Sequence, residues 1–227
     1  FGGVVIKNNK KGNGRFISLE GGEGAGKSTQ ANKLKRYLES KGKEVVLTRE
    51  PGGSLGAEEL RNLLVSGKED RWDPISETLI LYAARREHWV KIIQPSLCKG
   101  SWVISDRFSD STTVYQGFGK GVNRNLIKEL HILTLGEIYP DLTFFLDLPA
   151  ELGLKRSSRR DKKTETLDIR FENMNLAFHE QLRKGFKTLS VDNPDRVISI
   201  NAQESCKTVT TNIINVLNNV FNSEISL

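Results

Sequence analysis

The sequence predicts an α/β fold in which a five-stranded parallel sheet is flanked by helices. Five short apolar runs of strand length are separated along the chain by stretches with helical periodicity. Strands that alternate with helices pair in parallel, and the helices then cover both faces of the sheet. No internal repeat or low-complexity linker divides the chain, so residues 15–227 are expected to form a single domain.

The five strands are predicted from β-branched and aromatic content. They are expected at residues 16–19, 44–48, 101–105, 142–146 and 196–200. Ligands of parallel sheets bind at the carboxyl ends of the strands. Chemistry is therefore expected just after residues 20, 48, 105 and 147.

Two of the helices carry clear apolar periodicity. The helix after the first strand has Leu34 and Leu38 one turn apart and is expected to end near Gly42. A longer helical region runs over residues 74–94. The apolar side chains expected to be buried there are Leu79, Ala83, Val90 and Ile93.

A complete phosphate-binding P-loop follows the first predicted strand. Its residues are Gly21, Gly22, Glu23, Gly24, Ala25, Gly26, Lys27 and Ser28, with Thr29 next in the helix. The glycines allow backbone N–H groups to turn towards a phosphate. Lys27 supplies charge for the β- and γ-phosphates, and Ser28 offers a hydroxyl to Mg²⁺. These residues predict the binding of a nucleoside triphosphate.

Polar residues also follow the second and third predicted strands. The turn at 48–53, Thr-Arg-Glu-Pro-Gly-Gly, is expected to direct Arg49 and Glu50 over the ligand edge of the sheet. Asp106 ends the third strand, where P-loop proteins place a second anchor for Mg²⁺, and Arg107 is expected to meet phosphate oxygens. No Asn-Lys-x-Asp element occurs, which argues against a GTPase. Arg107 stands where motor-like ATPases usually carry Glu.

The net charge of +6 invites a nucleic-acid interpretation, but the charge is not spread as a stripe. The densest basic cluster lies at residues 155–170 and has no interleaved aromatic residue for stacking bases. This pattern favours a local anion partner over nucleic acid, with a solvated helix face as the alternative.

Composition also limits the location of the protein. No apolar run is long enough for a membrane span, and no signal peptide is recognisable, so a cytoplasmic protein is expected. Cys98 and Cys206 lack metal-ligand spacing and are expected to be free thiols. Residues 1–14 are expected to be an N-terminal extension, disordered or derived from a tag.

Four motifs in the same order resemble those of thymidylate kinases. They are Phe16–Ser28, Thr48–Gly53, Asp106–Gly117 and Pro140–Asp147. The resemblance covers nearly the whole chain from Phe16 to the C-terminal helix. It implies a three-layer P-loop kinase fold, a homodimer, and transfer of the γ-phosphoryl group of ATP to dTMP, with Mg²⁺ as cofactor.

The same resemblance assigns an acceptor site. Glu23 matches the residue near the deoxyribose 3′-hydroxyl, and Arg85 matches the arginine that reads a thymine carbonyl. Leu81 stands where the family has a base-stacking aromatic residue, with Tyr82 as an alternative platform. The other residues expected to contact the acceptor are Glu50, Pro51, Arg61, Arg107, Thr112, Tyr115 and Gln116.

Members of this family carry a catalytic arginine either in the P-loop or in a lid segment. Gly24 occupies the P-loop position, so a lid at about residues 154–170 is expected to supply the arginines. Arg156 and Arg160 are the main candidates, beside Arg159. Ile169 stands where similar enzymes often have Asp, which leaves the role of Arg170 open.

The expected catalytic groups are Lys27, Asp106, Arg107, Arg156 and Arg160. The acceptor phosphate has a second pKa of about 6, so it is already a competent nucleophile and needs no general base. Two alternatives remain open at this point. One is a kinase for another nucleoside monophosphate or a deoxynucleoside, and the other is a nucleotide-gated switch protein.

Overall fold

The computed structural model describes residues 14–67, 71–159, 171 and 174–225. Its strands are β1 (Phe16–Glu20), β2 (Val45–Arg49), β3 (Trp102–Asp106), β4 (Leu142–Asp147) and β5 (Val197–Asn201). They form one sheet in the order β2-β3-β1-β4-β5, and every neighbouring pair is parallel. The five-stranded parallel sheet is confirmed, with each strand boundary within one residue of its predicted place.

Helices connect the strands. Those in the described residues are α1 (Lys27–Ser40), α2 (Leu55–Val65), α3 (Pro74–His88), α4 (Gln94–Cys98), α5 (Ser109–Thr112), α6 (Arg124–Leu135), α7 (Ala150–Ser157), α8 (Leu176–Asp192) and α9 (Cys206–Ile225). Two π-helical turns, Trp89–Ile93 and Thr113–Gly119, extend α3 and α5. No helix in this part of the chain is long and apolar enough to cross a bilayer.

The core lies on both faces of the sheet. On one face, α1 and α9 pack together over β1 and β4, and the predicted core residues Leu34 and Leu38 are fully buried there. On the other face, two further apolar clusters lie beneath the π-helical turn Trp89–Ile93, α4 and α8. The central strand β1, between β3 and β4, is therefore covered by helices on both faces of the sheet.

The predicted burial of apolar residues in the region 74–94, which covers α3 and the π-helical turn after it, was wrong for three of the four residues. Leu79 and Val90 are 49% and 36% exposed, and Ala83 is also exposed, whereas Ile93 is buried. The reason is that α3 turns a polar stripe inward instead, which includes Arg85. Hydrophobic periodicity identified the helix correctly and assigned its faces in reverse.

Some predictions fall on residues outside the described ranges. These include Arg160, Ile169 and Arg170, and with them most of the predicted lid. The predicted N-terminal extension also lies there, apart from residue 14. Gly14 itself is buried, close to the backbone carbonyls of Leu97 and Ser101, so it packs against the fold.

Candidate active site

The P-loop leads from β1 into α1. Three of its glycines have positive φ: Gly21 (142°), Gly24 (66°) and Gly26 (93°). Glycine is favoured at these positions because it has no Cβ and adopts positive φ at little cost. Lys27 is the first residue of α1, and its Nζ donates to the carbonyl oxygens of Gly21 (3.1 Å) and Gly22 (2.8 Å). The fold therefore holds a cation directly against a loop suited to phosphate.

The end of β3 lies beside this loop. Ser28 Oγ donates to Asp106 Oδ2 across 2.5 Å, although the two residues are 78 positions apart. Hydroxyl and carboxylate oxygens are the ligands that Mg²⁺ prefers. The pair therefore fits the cation that accompanies a nucleoside triphosphate, and Thr29, the next residue, is exposed on α1.

Arg107 adopts an unusual backbone conformation. Its φ is +74°, a left-handed value that a non-glycine residue takes only when its surroundings enforce it. The backbone N–H of Arg107 donates to Leu19 O (3.0 Å), and Ser105 Oγ donates to Arg107 O (2.7 Å). The side chain then reaches the P-loop, where Nη1 donates to Gly21 O (3.0 Å) and Nη2 to Glu23 Oε1 (2.8 Å).

Glu23 is a buried carboxylate inside the P-loop. Besides Arg107, it accepts a hydrogen bond from the hydroxyl of Tyr115 at 2.7 Å. Burial alone would raise its pKa, but the charges of Arg107 and Lys27 and the Tyr115 hydrogen bond lower the pKa to about 2. The predicted partner of the 3′-hydroxyl is therefore an ionised hydrogen-bond acceptor.

Glu20 is a second buried carboxylate, and sequence analysis did not single it out. Its Oε1 accepts from the Phe108 N–H (2.7 Å) and its Oε2 from Ser111 Oγ (2.6 Å), so it braces the turn that contains Arg107. Burial and the nearby charge of Asp110 raise the pKa of Glu20 to about 8. Hydrogen bonds and Arg107 oppose this shift without cancelling it.

A cleft with about 560 Å³ of empty space, part of it open to solvent, lies next to the P-loop. Nine of the ten residues predicted to contact the acceptor line the cleft. The exception is Arg61, which is buried on α2 and donates from Nη1 to Pro51 O (2.8 Å), so it supports the cleft wall.

Arg85 is held in the cleft wall by its neighbours. Its Nε donates to Glu50 Oε2 (2.6 Å) and its Nη2 to Thr112 Oγ1 (2.9 Å). Burial would raise the pKa of Glu50, but Arg85 and the hydrogen bond with His88 lower it. Within the described part of the chain, Nη1 of Arg85 is buried and has no hydrogen-bond partner.

Gln116 shows the complementary pattern. Its Nε2 donates to Glu77 Oε1 at 2.8 Å, and its Oε1 is buried without a hydrogen-bond partner among the described residues. Both Gln116 and Glu77 line the cleft. The cleft therefore combines one uncommitted donor, from Arg85, with one uncommitted acceptor, from Gln116.

The apolar part of the cleft differs from the family pattern. Leu81 lines the cleft, while the alternative platform Tyr82 is buried in a separate apolar cluster with its ring against Arg85. Phe171 also lines the cleft and meets Tyr115 edge to face at 5.4 Å. Sequence analysis missed Phe171 because it is one apolar residue in a charged segment, about 90 positions from Leu81.

The first part of the predicted lid is α7. Arg156, in its last turn, donates from Nη1 to Ala202 O (3.1 Å) on the turn after β5. The structure therefore places Arg156 at the nucleotide edge of the sheet, with its guanidinium bound to a backbone carbonyl. Arg159 is exposed beyond the end of α7.

Fold and site together define a P-loop kinase: a phosphate-binding loop with a cation, a fitting pair of Mg²⁺ ligands, and an acceptor cleft beside them. A model of the thymidylate kinase family matches residues 19–213. The chain is 48% identical over 204 residues to a thymidylate kinase of Caulobacter vibrioides, covering 90% of this chain and 96% of the relative. It is also 43% identical over 207 residues to a thymidylate kinase of Bartonella quintana, covering 91% and 96%.

A solved structure agrees with these relatives. The crystal structure of thymidylate kinase from Ehrlichia chaffeensis matches with a TM-score of 0.71 and 38% identity, over 90% of this chain and 98% of that chain. The chain therefore belongs to the thymidylate kinase family.

Proposed function

We propose that this protein transfers the γ-phosphoryl group of ATP to dTMP and releases dTDP and ADP. The observation that carries the choice of acceptor is the pair of buried, uncommitted atoms in the cleft, Arg85 Nη1 and Gln116 Oε1. Buried polar atoms without partners cost free energy, so a ligand that pairs both is favoured over one that pairs neither.

Thymine offers the groups that such a pair requires. Its ring presents a carbonyl oxygen, which suits the Arg85 donor, next to an N–H, which suits the Gln116 acceptor. Cytosine presents an amino group and a bare ring nitrogen in the same places, so both contacts would fail. Leu81 and Phe171 then supply apolar surface for the faces of the base.

The donor and acceptor phosphates meet at the P-loop. The acceptor phosphate is largely a dianion at neutral pH, so the protein has to position it and stabilise charge, without removing a proton. Lys27 and Arg107 are the described cations at this point, and the lid arginines are expected to complete the set. Arg107 bridges the P-loop and the cleft, which suits it to hold the acceptor phosphate.

Ser28 and Asp106 would hold the Mg²⁺ that accompanies ATP. When bound, this cation neutralises charge on the β- and γ-phosphates. Glu23 would accept a hydrogen bond from the 3′-hydroxyl of the sugar, since its low pKa keeps it ionised. The Tyr115 ring, close to Glu23, would crowd a 2′-hydroxyl and so favour deoxyribose.

The exposed stripe on α3 supports the proposal of a homodimer. Ile75 and Leu79 are 47% and 49% exposed, and Leu133 on the neighbouring helix α6 is 77% exposed. Exposed apolar side chains one helical turn apart, such as Ile75 and Leu79, are typical of interaction surfaces. A second copy of the chain would bury them and also stiffen α3, which carries Arg85.

The expectation of a cytoplasmic enzyme stays a prediction.

A coupled assay of ADP release tests the proposed function. With ATP and Mg²⁺ present, dTMP should raise ADP release strongly, and dCMP and purine monophosphates should do so weakly. Stronger stimulation by another monophosphate would contradict the acceptor assignment. ATP turnover that is indifferent to every monophosphate would instead favour a nucleotide-gated switch.

A further inference from the structure

Glu77 is a buried carboxylate beside the cleft to which sequence analysis gave no role. It lies in the first turn of α3 and has no exposed surface. Lys120 Nζ donates to both of its oxygens, at 2.8 and 2.9 Å. The two side chains form an ion pair, and a carboxylate in an ion pair can only accept hydrogen bonds.

This restriction decides how the Gln116 amide is oriented. A side-chain amide has an NH₂ donor on one side and a carbonyl acceptor on the other. Since Glu77 Oε1 can only accept, Gln116 must turn its Nε2 towards it, and the two atoms are 2.8 Å apart. The Gln116 carbonyl then points away from Glu77, and it is the buried acceptor without a partner in the described ranges.

We propose that Glu77 acts as a specificity-determining residue, which fixes the Gln116 amide so that a carbonyl oxygen, and not an NH₂ group, meets the ring nitrogen N3 of the acceptor base. The inference rests on the proposed function. A base with N3–H pairs with this carbonyl. A base with a bare N3 would place two acceptors against each other, which a freely turning amide would avoid by rotating.

The opposite wall of the cleft is arranged in a similar way. Glu50 accepts from Arg85 Nε and fixes the guanidinium, which can only donate. Two buried acids therefore set a donor–acceptor pattern through Arg85 and Gln116. The difference is that Arg85 offers hydrogen-bond donors in every orientation. Rotation of the Gln116 amide, in contrast, exchanges its NH₂ donor for its carbonyl acceptor. Glu77 is thus the acid on which discrimination at N3 depends.

The test compares dTMP with 5-methyl-dCMP, which differ only at N3 and at the 4-position. In Glu77→Gln, residue 77 can offer either a carbonyl or an NH₂, so the Gln116 amide can rotate to suit either base. The ratio of kcat/KM for dTMP to that for 5-methyl-dCMP should fall by about tenfold or more. A purely structural defect would lower both values together and leave the ratio unchanged.

Three further variants make the result specific. Glu87→Gln changes a carboxylate on the same helix that does not line the cleft, and it should keep the ratio. Glu77→Asp keeps an acceptor-only group and should preserve the ratio better than Glu77→Gln. In a Gln116→Leu background, Glu77→Gln should have no further effect on the ratio.

The unpaired charge on Lys120 could unfold Glu77→Gln. The double variant Glu77→Met/Lys120→Met removes the ion pair as a whole, and the same fall in the ratio is expected. An unchanged ratio in either folded variant would overturn the role of Glu77. A wild-type protein that does not phosphorylate dTMP would instead contradict the proposed function, so the two failures are distinguishable.

Discussion

Buried carboxylates of the same chemical type are held in different protonation states around this site. Glu23 and Glu50 face arginines, which lower the pKa of each despite burial. Glu20 lies close to Asp110 and is fully buried, and its pKa is raised to about 8. Glu23 and Glu50 are therefore ionised and can orient the arginines beside them. Glu20 is protonated, because a second negative charge beside Asp110 would be repelled.

The raised pKa of Glu20 predicts a pH-dependent stability. In the unfolded chain a glutamate has a pKa of about 4.3, so between about pH 4.3 and pH 8 the folded state holds a proton that the unfolded state releases. The contribution of Glu20 to the free energy of unfolding therefore falls as the pH rises, by at most about 1.4 kcal/mol per pH unit.

Glu20→Gln removes this titration while keeping the shape of the side chain. Its stability relative to wild type should increase between about pH 5 and pH 8, measured by urea denaturation at several pH values. The comparison cancels the titration of all other groups. A difference that is constant with pH would show that Glu20 is ionised in the folded protein at neutral pH.

Lys27→Ala tests where the phosphoryl donor ATP binds. In the proposed reaction, the ammonium held against Gly21 and Gly22 would stabilise negative charge that grows on the transferring group. We expect kcat to fall by roughly 10² to 10⁴, with the fold intact by circular dichroism. A folded variant that keeps more than half of its activity would place the phosphoryl donor elsewhere.

The sequence was sufficient for residues that belong to contiguous motifs, and insufficient for those defined by distant partners. Lys27 and Asp106 are recognisable because their neighbours along the chain carry the signal. Glu20 ends a strand, and its protonation depends on Asp110, which is 90 positions away. Glu77 looks like an ordinary first-turn acid of a helix until Gln116 and Lys120 are seen to share its carboxylate.

Among the secondary-structure elements, the P-loop and α7 approach each other so closely that their backbones are in contact at Gly24 and Gly153. A Cβ added at Gly153 would come within 3.0 Å of Glu23 O, and one at Gly24 would do the same with Gly153 O. Gly24 also has a φ of +66°. An arginine at position 24 is therefore excluded sterically, and we still expect the lid to supply that charge.

Gly153→Ala should push the P-loop away from its present position. Overpacking of this kind costs roughly 1 to 3 kcal/mol of stability, and a misplaced phosphate loop should lower kcat/KM for ATP by about 10²-fold. Thermal unfolding and steady-state kinetics measure the two effects. Glu151→Ala, an exposed change on the same helix, serves as the control and should behave like wild type.

Arg156 tests the lid itself. If its guanidinium leaves Ala202 O and meets the phosphoryl group in the closed transition state, Arg156→Ala should lower kcat by about tenfold to a thousandfold while the Kd for dTMP barely changes. Lys155→Ala, an exposed neighbour, is the matched control. Loss of dTMP affinity with kcat unchanged would assign Arg156 to docking and not to chemistry.

Helix α3 shows why hydrophobic periodicity can fail near a site. Its buried face includes the polar residues Glu77, Arg85 and His88 beside Tyr82 and Ala84. Polar side chains of the cleft occupy part of the face that would otherwise be apolar, and Ile75 and Leu79 lie on the exposed face. Periodicity assumes that burial is hydrophobic, and that assumption does not hold for a helix that lines a polar cleft.

At the scale of the whole molecule, the sheet was predictable because each strand is a short apolar run between helices. The outer surface was not, since a single sequence does not say whether an exposed apolar stripe meets a second chain.

Leu79→Glu should convert a homodimer to a monomer without unfolding it, because Leu79 is already half exposed. Sedimentation velocity measures this change.

Val191→Glu is the control for that variant. Val191 lies on α8, away from the α3 stripe, and is 77% exposed, so a charge there should leave the oligomeric state unchanged. A wild-type protein that sediments as a monomer at micromolar concentration would contradict the homodimer.

The fate of the γ-phosphoryl group distinguishes transfer to dTMP from hydrolysis of ATP. In a single-turnover reaction with γ-³²P-labelled ATP, Mg²⁺ and dTMP, the label should appear in dTDP, with little inorganic phosphate, because the site positions two phosphates in line. Lys27→Ala should show almost no transfer in the same time. Label released as inorganic phosphate, or transferred equally to any monophosphate, would contradict the assignment of this protein as a kinase specific for dTMP.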